Sequence, residues 1–266
     1  MQLIDWSYAL STGRAKLRMA CPVCDRGPRD TAVSVDLVGL RAKCHRCEST
    51  FFPDGEKIER REVIDTSEKD KWLVDKTLDE SRPISRGDKV YQYLEARLGC
   101  ALDHLPAVYS HPGLRLYNGG EYTVHPAMVV PFIGRYGDVT GLHRTWLTPD
   151  GRVRRWKGIG SNLSGSALRL YKPTETLAIA EGIETAIAVH QITADPVWAC
   201  GSNTMLEKFV PPKGIKRLLI AGDNDISGAG QKSAWKLYHL MKKTHDCTVL
   251  LPPQSDTDWL DEWRTQ

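Results

Sequence analysis

The sequence predicts an α/β protein in three folded parts: a small N-terminal β module, a mixed α+β region, and a C-terminal, mostly parallel sheet flanked by helices. Three patterns support this prediction. Two Cys-x-x-Cys pairs lie near the N-terminus, short strands separated by Gly and Pro turns follow residue 128, and strands alternate with helices after residue 171. Strand–helix alternation is typical of a parallel sheet with helices on its faces.

The length and composition fit a folded protein outside the membrane. The 266 residues are enough for about two domains with a small module attached. Hydrophobic residues make up 41% and charged residues 26% of the chain, which excludes wholesale disorder. No apolar run approaches the roughly 20 residues of a membrane span, and residues 1–20 lack the apolar core of a signal peptide. We therefore expect a cytoplasmic protein.

The N-terminal module contains Cys21-Pro-Val-Cys24 and Cys44-His-Arg-Cys47, two pairs separated by 19 residues. Each pair can wrap a turn around one side of a metal ion, and together they supply the four thiolates that Zn²⁺ prefers in structural sites. Because the chain has seven cysteines, complete disulfide pairing is impossible, and a reducing compartment favours metal binding. The pattern predicts a zinc ribbon that is held by Cys21, Cys24, Cys44 and Cys47.

Basic residues surround this ribbon, and Phe51 and Phe52 follow it. Positive charge beside aromatic rings fits binding of single-stranded nucleic acid by phosphate attraction and base stacking. A purely structural ribbon with a polar surface is the alternative. The basic residues are Arg14, Lys16, Arg18, Arg26, Arg29, Arg41, Lys43 and Arg46.

The middle of the chain changes character twice. Residues 56–87 are charge-mixed and poor in apolar residues, which predicts a linker that is in part helical. Residues 88–98 predict a helix with Asp88 as N-cap, and strands at 128–133, 139–143 and 146–147 predict a β-meander. Between residues 135 and 172, eight basic and two acidic residues give a net charge of +6. Such a segment indicates either a polyanion site or a solvated surface.

Acidic residues follow three of the predicted C-terminal strands: Glu181, then Asp223 and Asp225, then Asp256 and Asp258. Because open parallel sheets bind ligands beyond the carboxyl ends of their strands, these carboxylates are expected to converge on one rim. The predicted strands are 177–180, 197–200, 218–221 and 247–251, and the predicted helices are 183–191, 205–210 and 230–243.

Clustered carboxylates repel one another unless cations neutralise them, so Mg²⁺ or Mn²⁺ is the expected partner. Such a cluster suits metal-assisted phosphoryl or nucleotidyl transfer. A helix cap or a turn explains any one of these acids, whereas the three-part pattern favours function. The nearby segment Gly228-Ala-Gly230-Gln-Lys-Ser233 lacks the spacing of a phosphate-binding loop and predicts a turn and a helix start.

These motifs resemble a known family. Glu181-Gly182, Asp223-x-Asp225 and a later Asp resemble the Toprim fold of primases, topoisomerases and related nucleases. Residues 130–133, 137–144, 156–157 and 168–171 resemble the basic subdomain that precedes Toprim in bacterial DnaG-type primases, and residues 142–147, 181–186 and 258–261 resemble its phage and plasmid variant. With the zinc ribbon, the resemblance covers nearly the whole chain, most weakly over residues 56–87.

The resemblance implies roles for individual residues. Asp223, Asp225 and Asp258 would bind divalent metals, with Asp258 preferred over Asp256 as the third acidic ligand. Glu181 would be a further metal ligand or the general base that deprotonates a 3′-hydroxyl. The zinc ribbon would help to recognise the template. A basic groove for the template or primer backbone, or for an incoming triphosphate, would be formed by His143, Arg144, Arg155 and Lys157.

The sequence thus predicts a zinc-ribbon domain at residues 1–55, a linker at 56–87, a basic N-terminal subdomain of the polymerase core at 88–172 and a Toprim catalytic domain at 173–266. The predicted function is that of a DNA primase, which makes short RNA primers on single-stranded DNA from ribonucleoside triphosphates by metal-dependent nucleotidyl transfer. A separate replicative helicase is the expected partner. The alternatives are a Toprim nuclease and a non-catalytic replication factor that binds single strands.

Overall fold

The computed structural model describes residues 4–14, 16–24, 27, 31–37, 40–47, 49–52, 67–100, 102, 105, 107–118, 121–159 and 163–265. These residues form two compact units, Met1–Asp65 and Thr66–Gln266, each with its own hydrophobic core. Within the described ranges, no helix is both long and apolar enough to cross a membrane.

The first unit is a four-stranded antiparallel sheet in the order β1-β2-β3-β4. Val33 and Val35 of β2 and Ala42 and Cys44 of β3 are buried and alternate with more exposed neighbours, because successive strand side chains point to opposite faces. This confirms the predicted small N-terminal β module. Its elements are α1 (Trp6–Ser11), β1 (Lys16–Met19), β2 (Val33–Asp36), β3 (Arg41–Cys44) and β4 (Thr50–Phe51).

The second unit begins with two helices and a long antiparallel meander. The predicted strands 139–143 and 146–147 are parts of one continuous strand, β8, which pairs with β7 on one side and β9 on the other. The elements are α2 (Ser67–Asp79), β5 (Arg82–Pro83), α3 (Lys89–Leu98), β6 (Tyr109–Asn118), β7 (Glu121–Ile133), β8 (Val139–Thr148), β9 (Gly151–Gly158) and β10 (Ala167–Leu168).

Much of the segment predicted as a linker is folded. Helix α2 buries Val74 against Val129 and Leu142 of the meander, and strand β5 pairs with β6. Residues 67–87 therefore belong to the second unit, while residues 56–66 lie outside the described part of the chain. The low apolar content of α2 hid this packing, because one fully buried valine fixes the helix to the sheet.

Helix α3 agrees with its sequence pattern. Val90, Tyr91 and Leu94 are buried on one face with Leu98, and Gly99 ends the helix in the left-handed conformation at φ 72°. Asp88 is the N-cap residue, but its carboxylate makes no capping hydrogen bond. It accepts instead from Arg82 and from the backbone N–H and hydroxyl of Ser85.

The C-terminal part is a parallel sheet flanked by helices, as predicted. Strands β14, β13, β11 and β12 lie side by side in that order, and all three pairings are parallel. The predicted helix start near Gly230 is confirmed, since α6 begins directly after Gly228. The elements are β11 (Thr176–Ala180), α4 (Ile183–Thr193), β12 (Val197–Ala199), α5 (Asn203–Leu206), β13 (Arg217–Ala221), α6 (Ala229–Met241), β14 (Asp246–Leu250) and α7 (Trp259–Arg264).

The short strand β10 joins the two halves of this unit into one sheet. Ala167 and Leu168 pair with Ile133 and Phe132 of β7, and Leu168 pairs on its other edge with Ala199 of β12. Hydrogen bonding therefore runs from β14 to the meander without a break. Helices α3, α4 and α7 bury their apolar residues in a core that both halves share.

Candidate functional site

The four predicted zinc ligands of the first unit come together. The Sγ atoms of Cys21 and Cys47 are 3.7 Å apart, and those of Cys24 and Cys44 are 3.9 Å apart. A tetrahedron of Zn–S bonds of about 2.3 Å has sulfur–sulfur edges of about 3.8 Å. In the described part of the chain the cysteines are free, so this cluster fits a metal ion and not a pair of disulfides.

A cavity of about 440 Å³ opens in the second unit, at the carboxyl ends of β11 and β13. Glu181 directly follows β11, Asp223 follows β13 by two residues, and Asp258 is the N-cap of α7; all three line the cavity. The predicted convergence of acidic residues from three strand ends is therefore observed for these side chains.

Asp223 has the most unusual environment of these acids. Its Oδ1 atom is buried and has no hydrogen-bond partner among the described residues. Burial, together with the negative charges of Glu181 and Asp258, raises the pKa of Asp223 to about 7. A buried carboxylate oxygen without a donor fits a bound cation, because a cation would both neutralise and coordinate it.

The backbone around Asp223 depends on a glycine of the adjoining helix. A Cβ atom on Gly230 of α6 would lie 2.6 Å from the carbonyl oxygen of Asp223 and 3.0 Å from its nitrogen. Since real Cβ atoms do not approach backbone so closely, Gly230 allows α6 to pack directly on the acidic turn. This contact fixes where β13 presents the Asp223 carboxylate.

Asp225, which we grouped with the other acids, has a different environment. Its carboxylate accepts hydrogen bonds from the backbone N–H groups of Ala229 and Gly230 and from the Ser227 hydroxyl, at the start of α6. These bonds, that from Ser227 first, hold the pKa of Asp225 below its usual range. Asp225 is not among the described residues that line the cavity, although its charge is felt by Asp223.

The other three acidic residues of the predicted cluster have distinct environments. Asp258 lines the cavity while its Oδ1 accepts from the backbone N–H groups of Leu260 and Asp261, whereas Asp256 is exposed and does not line it among the described residues. Burial raises the pKa of Glu181, and the backbone N–H of Asn203 opposes this shift only in part.

The spacing of the acids differs from that of the cysteines. Among the described residues, the four cysteines are the only group of three or more His, Cys, Asp or Glu side chains placed to hold a metal ion, and their ligand atoms all lie within 4.8 Å of one another. The carboxylates of Glu181, Asp223 and Asp258 are therefore spread more widely than the ligands of a closed shell. An open arrangement suits Mg²⁺, which keeps several waters and takes few protein ligands.

Basic residues complete the cavity. His143 of β8, Arg152 and Arg154 of β9 and Arg97 of α3 line it together with the acids. His143 pairs in register with Trp156, and Arg154 pairs with Thr145, so His143 and Arg154 share one face of the meander. Burial lowers the pKa of His143 to about 4, which keeps its ring neutral at physiological pH.

The other predicted groove residues have different positions. Arg144 and Arg155 pair with each other on the opposite face of the meander. The Arg144 guanidinium lies 4.9 Å from the ring centroid of Trp146, and Arg155 donates to the carbonyl oxygen of Tyr117. Among the described residues of the cavity lining, neither appears. Lys157 lies in β9, and its side chain is outside the described part of the structure.

Sequence reasoning did not assign four charged residues that line the cavity: Arg97, Arg152, Arg154 and Glu184. Arg152 and Arg154 were counted in the basic segment without being assigned to the site, and Glu184 was not considered. The alternation of Arg152 and Arg154 along β9 is a period-two signal that could have placed both on one face. Glu184 lies in the first turn of α4, three residues after Glu181. Its partners come from α3 and β9, and no pattern in the sequence indicated them.

Glu184 accepts a hydrogen bond from Tyr93 of α3. The Tyr93 hydroxyl donates to Oε1 of Glu184 over 2.6 Å, and Arg152 donates to the Tyr93 oxygen over 2.7 Å. Although burial alone would raise it, the pKa of Glu184 is held below its usual range by Tyr93 and Arg152. Burial and the charge of Glu184 raise the pKa of Tyr93, which keeps the phenol protonated.

Comparison with known families identifies two regions of the chain. Residues 176–266 match the model of the Toprim domain, and residues 68–169 match a domain of unknown function, DUF7146. The C-terminal part of the chain is therefore a Toprim domain, as the sequence motifs predicted. The cavity acids Glu181, Asp223 and Asp258 all lie in this domain, whereas the basic residues of β8 and β9 lie in the preceding one.

Solved structures of primases have a similar fold. The DnaG catalytic core aligns with a TM-score of 0.50 at 16% identity, covering 75% of this chain and 74% of that one. The primase fragment of the bacteriophage T7 primase-helicase protein covers 94% of this chain and 97% of its own, at a TM-score of 0.43 and 15% identity. The Aquifex aeolicus primase, with its zinc-binding and RNA polymerase domains, aligns with a TM-score of 0.49 at 14% identity. The alignment covers 98% of this chain and 80% of that one. The similarity to the DnaG catalytic core shows that the part of the chain it covers has a primase-like fold.

Proposed function

We propose that this protein is a DNA primase, which synthesises short RNA primers on single-stranded DNA by metal-dependent nucleotidyl transfer. The observation that carries the proposal is a cavity with charges of both signs. Asp223, whose buried Oδ1 has no hydrogen-bond partner in the described part of the chain, lines it with Glu181 and Asp258, and so do Arg152 and Arg154. Acids for cations and arginines for phosphates are the two requirements of nucleotide transfer.

Glu181, Asp223 and Asp258 would hold Mg²⁺ or Mn²⁺, with Asp225 contributing negative charge from the adjoining turn. When bound, such ions stabilise the charge on the attacking and leaving oxygens of a phosphoryl transfer. The raised pKa of Glu181 suits a second role, because a carboxylate of higher pKa is the better acceptor for the proton of a 3′-hydroxyl.

The cavity arginines would bind the phosphate groups of the substrate. Arg97, Arg152 and Arg154 present guanidinium groups that can form paired, charge-assisted hydrogen bonds with phosphate oxygens. His143, being neutral and buried, would offer a hydrogen bond and no charge. These side chains would orient the substrate against the acids.

The remaining predicted groups would act outside the cavity. Zn²⁺ held by the four cysteines would stabilise the first unit, whose sheet carries the exposed basic residues Lys16, Arg41 and Lys43 for contact with the template. Arg144, Arg155 and Lys157 would bind nucleic acid away from the cavity, along the meander. We expect strand separation to come from a separate helicase.

The test is primer synthesis from ribonucleoside triphosphates on single-stranded DNA with Mg²⁺, with the lengths of both product and template followed. Glu181→Gln and Asp223→Asn should each abolish incorporation, since both keep the side-chain volume and remove a charge that would bind the cation. Glu175→Gln is the matched control, because Glu175 is exposed and pairs with Lys216 away from the cavity.

Three results would separate the candidate functions. New ribonucleotide oligomers from the unmodified protein, lost in both cavity variants and kept in Glu175→Gln, support the primase. Shortened template strands without new oligomers would replace it with a Toprim nuclease. Strand binding without either product would replace it with a non-catalytic binding factor.

A further inference from the structure

Three side chains from separate elements form a hydrogen-bonded chain beside the cavity. Arg152 of β9 donates to the hydroxyl of Tyr93 on α3, and that hydroxyl donates to Glu184 on α4. A second link closes the set, since Nη1 of Arg152 lies 3.7 Å from Oε1 of Glu184. The phenol therefore accepts one hydrogen bond and donates one, which fixes its orientation.

The exposure of the two charged groups differs in a way that points to a ligand. The Glu184 side chain is 8% exposed, whereas that of Arg152 is 28% exposed and lines the cavity. A guanidinium has five N–H donors, and the bond to Tyr93 uses one nitrogen. Arg152 thus lines the cavity with donors that the Tyr93 bond does not use, and Glu184 balances its charge.

Glu184 adds negative charge to a wall that already contains Glu181 and Asp223. A buried ion pair is weak evidence for stability, because the loss of hydration offsets most of the attraction. The pair instead fixes the position of the Arg152 side chain. A free arginine loses side-chain entropy when it binds a ligand, whereas here the protein has restricted the side chain before any ligand binds.

We propose that Glu184 and Tyr93 are positioning residues, which hold Arg152 so that its guanidinium contacts a phosphate group of the substrate. The inference rests on the proposed function, in which the phosphate belongs to either the incoming triphosphate or the nucleic-acid strand. Without the Tyr93 hydroxyl, Arg152 moves toward direct pairing with Glu184 and away from the phosphate.

The experiment compares Tyr93→Phe, Glu184→Gln and Arg152→Ala with the unmodified protein. Tyr91→Phe is the matched control, because Tyr91 lies on the same helix and its oxygen accepts a hydrogen bond from the backbone N–H of Leu102, outside the network. The measurements are KM and kcat for ribonucleotides in primer synthesis, and equilibrium binding of inorganic tripolyphosphate and of single-stranded DNA. Circular dichroism and Tm report folding.

The loss of a charge-assisted hydrogen bond should weaken phosphate binding by about 10- to 100-fold in Arg152→Ala. Tyr93→Phe and Glu184→Gln should weaken it by about 3- to 10-fold with kcat changed less than KM, and Tyr91→Phe by less than about 2-fold. Adding Tyr93→Phe to Arg152→Ala should have no further effect, because the phenol acts through the arginine.

The pattern identifies the source of the phosphate. Weaker tripolyphosphate binding with a raised KM assigns the contact to the triphosphate, and weaker DNA binding alone assigns it to the strand. Unchanged binding of both probes in Arg152→Ala, or full additivity of Tyr93→Phe with it, overturns the inference. If Glu184→Gln does not fold, Tyr93→Phe and the double variant decide. A protein that makes no primers but shows this binding pattern refutes the proposed function and leaves the inference standing.

Discussion

At the scale of single residues, Asp223 is a carboxyl group whose ionisation destabilises the fold. Its carboxylate is largely buried, and the neighbouring Glu181 and Asp258 repel its negative charge. In the folded, metal-free protein its pKa of about 7 exceeds that of the unfolded chain, near 3.8. Protonation therefore favours the folded state: this contribution is complete below about pH 4 and is lost as the pH rises through 7.

We predict that the metal-free protein loses stability between pH 5 and pH 8 and that Asp223→Asn removes most of this loss. A raised pKa of this size corresponds to at most about 4 kcal/mol, so Asp223→Asn should raise the Tm in a chelator at pH 8 by several degrees. Differential scanning calorimetry at both pH values checks this.

Mg²⁺ supplies the control for this prediction. Added to the unmodified protein at pH 8, it should raise the Tm, because an ion that binds only the folded state stabilises it. The same addition to Asp223→Asn should have a much smaller effect. An equal Mg²⁺ response in both proteins would contradict the assignment of Asp223 to the cation.

At the scale of elements, strand β9 allows a test of which face of the meander binds the substrate, because its consecutive arginines Arg154 and Arg155 lie on opposite faces. Arg154 lines the cavity, and Arg155 donates to the Tyr117 carbonyl oxygen. We predict that Arg154→Ala lowers kcat/KM for primer synthesis by about 10-fold or more, through loss of a phosphate contact. Arg155→Ala should lower it much less and instead weaken binding of single-stranded DNA.

The two variants differ by one position, so each controls for the other. Steady-state kinetics and fluorescence anisotropy with a labelled strand measure both effects. Equal losses of kcat/KM in the two variants would show that strand alternation does not decide which arginine meets the substrate.

The contact between helix α6 and the end of strand β13 gives a second prediction at this scale. Gly230→Ala would place a methyl group 2.6 Å from the Asp223 carbonyl oxygen, so the helix or the acidic turn must shift. We expect a loss of about 1–3 kcal/mol in the free energy of unfolding, together with most of the activity. Ala229→Gly is the control, since Ala229 is an exposed neighbour on the same helix. Normal activity in Gly230→Ala would show that the position of Asp223 tolerates this shift.

At the scale of the whole molecule, the two units have separate cores and different sources of stability. The first, Met1–Asp65, has few buried apolar residues, whereas the second has extended cores on both faces of its parallel sheet. A module of this size usually needs a metal or disulfides to stay folded. Its four clustered thiols indicate a metal.

We predict one Zn²⁺ per chain and selective unfolding of the first unit on its removal. A strong zinc chelator should abolish protection from hydrogen exchange in strands β1 to β4, because metal binding and folding are coupled in such modules. Strands β11 to β14 should keep their protection, which serves as the internal control. Absence of zinc by elemental analysis, or simultaneous loss of protection in both units, would contradict the prediction.

The patterns with strong local causes could be predicted from the sequence. The α3 helix followed from apolar residues at helical spacing and from Gly99, and the acids at the ends of β11 and β13 followed from strand–helix alternation. The clustering of the four cysteines followed from their spacing alone. In each case a short local pattern, namely a helix face, a strand end or a Cys-x-x-Cys pair, determines the feature.

The features that were missed depend on partners far apart in the chain. The sequence predicted a partly helical linker at residues 56–87 but not the packing of helix α2, because its buried Val74 contacts Val129 and Leu142, which lie more than 50 positions later. The role of Glu184 depends on Tyr93, 91 residues away, and no local pattern indicates that bond. Asp225 differs from Asp223 because the first backbone N–H groups of helix α6 donate hydrogen bonds to the Asp225 carboxylate.

The two residues of strand β10 have a consequence for how the cavity can move. They hydrogen-bond the meander to the parallel sheet, so the arginines of β9 and the acids after β11 and β13 stand on one continuous framework. A hinge between these halves would have to break that pairing at every cycle. We therefore expect the entrance to keep a constant width during turnover. Diffusion, and not a domain closure, would then limit the exchange of nucleotides and strands.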